Sequence, residues 1–167
     1  MHDFAWSAAA LETHPAAVCQ LHEDYIQAGA EVLTTNSFST ARYVLAGSGM
    51  EDKVRRLTLR SAQLAREARE KAAGERPVYV AGALSAYGVA RHSPPDSALR
   101  DSYREQAQLL AEGGVDFIFL EMLGGKFDWI RFAMEGALTT GLPIWVALSS
   151  QPSQTGAGAM GLDGGDE

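Results

Sequence analysis

Four short apolar runs recur along this chain, separated by stretches of helical periodicity, and that alternation leaves few folds open. The runs are EVLTT (31–35), VYVA (78–81), DFIFL (116–120) and IWVAL (144–148). Each reads as a buried strand, because apolar and polar residues do not alternate within it. The spacing predicts a helix over Glu51–Ala73 with Val54, Leu57, Leu64, Ala65 and Ala68 on one face. It predicts a second over Asp96–Glu112 carrying Leu99, Tyr103, Ala107 and Leu110, and a third over Phe127–Thr139 with Ile130, Ala133, Met134, Ala137 and Leu138 inward. One more, Pro15–Ala28, precedes the first strand, with Val18, Leu21, Tyr25 and Ile26 at helical spacing, Thr13 as its cap and Gly29 as its stop. Strands joined by crossover helices require a parallel sheet with covered faces, so the class is α/β. Residues 1–150 read as one domain, and from Gln151 to Glu167 periodicity is lost, which reads as a loop or frayed terminus.

Functional groups of parallel sheets gather at the carboxyl ends of the strands. Those ends are TTNSFST, GALSAYG, EMLGG and SSQPS. Glu121 follows FIFL directly, where a carboxylate beside a buried strand needs a partner or a wet cleft. It reads either as a functional acid or as one arm of a salt bridge or cap. Thr35, Asn36 and Phe38 read either as turn chemistry, since Thr and Asn satisfy backbone groups at strand ends, or as a pocket wall in which the aromatic ring supplies apolar surface.

Other chemistries find less support. Fourteen basic against twenty-one acidic residues, with no basic block, argue against a nucleic-acid partner. No run of eighteen apolar residues exists to span a membrane as a helix. Cys19 is the single cysteine and the start of the chain lacks a signal-like pattern, so a cytoplasmic address is expected. Cys19 and His22 stand three apart on a helix, a spacing open to metal, but two ligands on a helix that precedes its strand read better as a buried thiol with a polar neighbour. The glycines of GAGAMGLDGG are not followed by the Lys-Ser/Thr pair or helix of a phosphate loop.

The motifs taken in order are more specific than any one of them. WSAAALETHPAAVCQLHEDYIQAGAEVLTTNSFSTARYVL resembles the opening of the homocysteine S-methyltransferase family, and VYVAGALSAYG, GGVDFIFLEML and LPIWVALS resemble its next three strands. The resemblance runs from Trp6 to Ser150. It implies a (β/α)₈ barrel and methyl transfer from a small donor to the sulfur of homocysteine, a step of methionine biosynthesis. By the same resemblance Thr35, Asn36 and Phe38 line the homocysteine pocket, Glu121 holds the ammonium group, and Ser149 also faces the pocket. The family's zinc activates the thiol and sits on three cysteines, one after a later strand and an adjacent pair near the end of the barrel; Cys19 matches none of them, so no metal ligand is expected in this chain. Residues 1–150 thus read as family strands two to five, a partial barrel with open edges at EVLTT and IWVAL that invite self-association. Three readings follow: an incomplete methyltransferase inactive by itself, a catalytically dead half barrel that binds or assembles, or another barrel enzyme acting on a small acid.

Overall fold

The computed structural model describes residues 5–124, 126–152 and 160–162. Two helices, α1 (Trp6–Thr13) and α2 (Pro15–Gln27), precede β1 (Val32–Thr34). A short α3 (Arg42–Ala46) and a 3₁₀ turn (Glu51–Lys53) lead into α4 (Val54–Ala72) and β2 (Tyr79–Ser85). Then come α5 (Val89–His92), α6 (Asp96–Glu112), β3 (Phe117–Leu123), α7 (Phe127–Leu138) and β4 (Ile144–Leu148). The four strands form one parallel sheet in the order β1-β2-β3-β4, as the alternation predicts. Among the described residues no helix is long and apolar enough to cross a membrane.

Helices cover one face of this sheet, and the core lies between the two layers. The predicted faces of α4 and α6 are buried throughout. Val80, Leu84, Ile118 and Leu120 of the sheet pack with Leu99, Tyr103 and Leu110 of α6 and Phe132 of α7, while Leu33 packs with Ile26, Leu57 and Leu64. Contact between α6 and α7 is close because Gly136 has no side chain: a Cβ there would lie 2.9 Å from the backbone of Tyr103 and of Arg104. Backbone cannot swing aside as a side-chain tip can, so Gly136→Ala is expected to destabilise by about 1–2 kcal/mol, the cost of overpacking. Chemical denaturation should show the loss as a lower midpoint with an unchanged slope.

Several local expectations fail, each for an identifiable reason. Thr13 does not cap α2; its hydroxyl donates to the Ala9 carbonyl at 3.0 Å, back-bonding into α1, and His14 occupies the cap position without a side-chain bond. On α2 the buried stripe is Cys19, His22 and Ile26, and Leu21 and Tyr25 are 55% and 58% exposed. Two apolar stripes lie side by side on that helix; the one through Cys19 and Ile26 packs against α4, and the one through Leu21 and Tyr25 lines an open cleft. Leu138, expected inward, is 64% exposed at the last turn of α7. Ahead of and inside the span 151–167 read as a loop or frayed terminus, β5 (Ser150–Pro152) and β6 (Met160–Leu162) pair antiparallel. Three-residue strands are defined by backbone pairing and leave no apolar period to detect.

Candidate active site

A cleft of about 640 Å³ runs along β1, on the side where that strand has no paired neighbour among the described residues, from the α1–α2 corner to the carboxyl end of the sheet. Its lower part is apolar, with Ala17, Val18, Leu21 and Tyr25 of α2 facing Val32. At its upper end Thr34, Thr35, Asn36 and Phe38 share the wall with Trp6 and Glu121. The sequence-selected Thr35, Asn36, Phe38 and Glu121 therefore come together. Ser149 does not join them: it is half-buried, and its N–H donates to the Leu123 carbonyl at 2.8 Å, prolonging the β3–β4 pairing.

The segment TTNSFST splits its residues between two duties by position. Thr35, Ser37, Ser39 and Thr40 are buried, whereas Thr34, Asn36 and Phe38 are half-buried. Thr35 Oγ1 accepts from the Ala83 N–H at 3.0 Å and is 2.8 Å from Ser37 Oγ, which donates to the Ala83 carbonyl at 2.7 Å. These hydroxyls bind the segment to β2. On the helix side, Thr58 Oγ1 donates to Thr40 Oγ1 at 2.9 Å, and Gln106 Nε2 donates to the Ser37 carbonyl at 2.7 Å and to Thr40 Oγ1 at 3.1 Å. Turn chemistry and pocket wall are thus both present, on different residues. Asn36 does some of each, because its amide donates to the Ser7 carbonyl at 3.0 Å and accepts from the Ser7 hydroxyl, which fixes α1 over the cleft. Phe38 packs edge-on between Trp6 and Tyr87, with ring centroids 6.4 and 5.1 Å away.

Glu121 stands where the β3–β4 register shifts, between Leu120 and Leu123. The next residue, Met122, has φ 52, a left-handed conformation that a non-glycine side chain adopts at a cost of roughly 1–2 kcal/mol. A bulge of this kind changes the direction of the neighbouring side chain at a strand end. The Glu121 carboxylate has no ion-pair partner among the described residues, and burial pushes its pKa above the ordinary carboxylate value. This arrangement does not match the salt-bridge reading of the residue.

Cys19 lies on the α4 side of α2, where its thiol donates to Glu23 Oε1 at 3.3 Å and lies 3.5 Å from Lys71 Nζ. Burial, more than these neighbours, pushes the thiol pKa up and so favours the neutral form, the wrong one for a metal ligand. His22 is a wall of the cleft rather than a companion ligand, and burial lowers its pKa, keeping the ring neutral. Among the described residues no three His, Cys, Asp or Glu side chains converge as a metal site, so the donor set there does not fit zinc. Metal analysis of the purified chain is expected to find no stoichiometric zinc; a tight one-to-one site would assign Cys19 a role denied to it here.

Trp6 and Tyr25 were not singled out as site residues from the sequence, whereas Thr34 belongs to the TTNSFST strand end that was. Trp6 and Tyr25 reach the cleft from helices that precede β1, a placement that strand-end logic does not reveal.

The polar groups and the half-buried Glu121 carboxylate gather at the carboxyl ends of a four-stranded parallel α/β sheet, the rim at which (β/α)₈ barrels carry their sites. The profile of the homocysteine S-methyltransferase family matches residues 1–165, and the chain belongs to that family. It is 26% identical over 184 residues to the selenocysteine methyltransferase of Astragalus bisulcatus and 27% over 175 residues to homocysteine S-methyltransferase 3 of Zea mays. Each alignment takes in 90% of the chain, against 54% and 51% of those relatives. The metallated form of the Escherichia coli homocysteine methyltransferase MmuM superposes with a TM-score of 0.77 at 27% identity, over 89% of this chain and 56% of that one. The chain spans about half the length of the curated relatives it matches.

Proposed function

We propose that this chain supplies the amino-acid-binding part of an enzyme that transfers a methyl group from a small donor to the thiol of homocysteine, giving methionine. The observation that carries the reading is the unpaired, half-buried Glu121 carboxylate in one cleft with Thr34, Asn36 and Phe38. A zwitterionic amino acid brings an ammonium group, which such a carboxylate accepts through a charge-assisted hydrogen bond. The rings of Phe38 and Trp6 give the methylene chain apolar surface. Acceptance of thiol or selenol is not decided at this end, since homocysteine and selenocysteine share the amino-acid group that Glu121 would read.

Deprotonation of the thiol needs a further group, and none of the described residues is fitted to it. In this reading the 167-residue polypeptide binds the amino acid and has negligible turnover by itself. Titration calorimetry with homocysteine tests the proposal: one-to-one heat is expected, with methionine or selenocysteine competing through the shared amino-acid end. No heat at millimolar homocysteine would sink it. Binding with no methionine formed from any small methyl donor would leave the 167-residue chain as the binding half alone.

A further inference from the structure

Glu121 belongs to β3 but shares a cleft with side chains at the end of β1, and β2 stands between the two strands. Two strand spacings are roughly 10 Å, and side chains in a regular strand stand nearly perpendicular to the sheet. Something must therefore tip this carboxylate sideways. On the β2 side the way is clear, because its pairing partner there is Ser85, a small residue whose hydroxyl already accepts from the Tyr87 N–H at 2.9 Å.

The other side of β3 supplies the tilt. Leu120 pairs with Val146 and Leu123 with Leu148, so Glu121 and Met122 together stand opposite Ala147 alone. β3 thus carries one residue more than β4, while its pairing with β2 runs unbroken to Glu121. Burial records the same insertion: Ile118 and Leu120 alternate into the helix-side core, and the next core residue is Leu123, three positions on. Met122 is left out, 54% exposed and at φ 52. Bulges give that conformation to glycine, and a methionine holds it at a cost that no burial of its side chain offsets. Strain that packing does not offset points to function rather than to stability. Extra backbone on the β4 side bends the strand and leans the preceding residue toward β2. We propose that Met122 is a positioning residue: as the extra, left-handed residue of β3 it tips the Glu121 carboxylate over Ser85 to the wall at Thr34, Asn36 and Phe38. There the carboxylate meets the ammonium group of the amino acid, so the role of Met122 rests on the ammonium binding proposed above for Glu121.

Deletion of Met122 is the direct test. Removing one residue from an ordinary strand throws every later side chain to the opposite face. Here it leaves Leu123 two positions after Leu120, the regular spacing, and in register with Leu148. The deletion variant should therefore fold, with a urea midpoint no lower than that of the wild type, yet bind homocysteine at least about fivefold more weakly by calorimetry, the scale of a lost charge-assisted hydrogen bond. Met122→Val, whose branched side chain disfavours positive φ, should lose affinity likewise, and Met122→Asn, which tolerates it, should restore it. Met122 does not line the cleft, so a merely structural residue would move the midpoint and leave the affinity of the folded protein alone. Deletion and valine variants that bind as the wild type does, while Glu121→Gln binds more weakly, would overturn the positioning role and leave Glu121 in place. A deletion variant that unfolds would make the extra residue structural and overturn the role as well. Unchanged binding by Glu121→Gln would instead remove the ammonium site itself, and the positioning role with it.

Discussion

Glu121→Gln is expected to weaken homocysteine binding by at least about fivefold, the scale of a lost charge-assisted hydrogen bond of ~1 kcal/mol or more, while raising the melting temperature of the ligand-free protein at pH 7. The two effects share a cause. Burial holds the carboxyl pKa above its ordinary value, so the folded chain binds that proton more tightly than the unfolded chain does. The stability that Glu121 contributes is then fully present below the ordinary carboxylate range and is lost as pH rises through the raised value. At neutral pH the charge sits in the cleft without a partner, and a neutral amide relieves that cost. In acid, where the wild-type carboxyl is protonated, the difference in melting temperature should vanish. Calorimetry and thermal melts at pH 4 and pH 7 check both halves, and unchanged homocysteine affinity would remove Glu121 from the ammonium site.

Gln106→Glu should cost about 3–5 kcal/mol at pH 7, the range for an uncompensated charge in a protein interior. Gln106 is fully buried, and its Nε2 donates to the Ser37 carbonyl and Thr40 Oγ1. A carboxylate donates to neither, and two acceptors would face each other. The introduced acid can enter the fold only as the neutral form, which places its folded pKa above the unfolded value. Stability should therefore be recovered at low pH and lost as pH rises through that higher pKa. Gln106→Met, of similar length and uncharged, is expected to cost far less, because Ser37 O keeps the Thr40 N–H and hydroxyl as donors and the unpartnered Gln106 Oε1 is removed. Urea unfolding at pH 5 and pH 8 distinguishes the two substitutions.

The parallel order and the faces of α4 and α6 were legible because both sides of those elements have neighbours within the chain, so burial and pattern coincide. The edges were less so. On α2 the stripe through Leu21 and Tyr25 is as apolar as the stripe that is buried, and pattern cannot say which one meets a neighbour. Strands β2 and β3 were read as ending at Ala81 and Leu120, where the apolar run breaks, yet pairing carries them to Ser85 and Leu123. Ladder hydrogen bonds follow the backbone: β2–β3 pairing runs through Gly82 to Glu121, while the β3–β4 pairing shifts register there and resumes at Leu123. At the site, Glu121 could be placed from its position after DFIFL alone. Ser149 obeyed the same strand-end logic but lies off the cleft. The bulge at Met122 has no sequence signature, since a glycine rather than a methionine is what a positive φ would lead one to expect.

The alternating burial of residues 34–39, with Thr40 buried after it, separates what this segment must preserve from what it can vary. Thr35 and Ser37 are tied to β2, and Thr40 to α4 and α6, whereas Thr34 and Phe38 look into the cleft and hold none of those bonds. Substitutions at Thr34 and Phe38 can therefore reshape the cleft wall without breaking those bonds, while the buried hydroxyls of the segment serve as ballast.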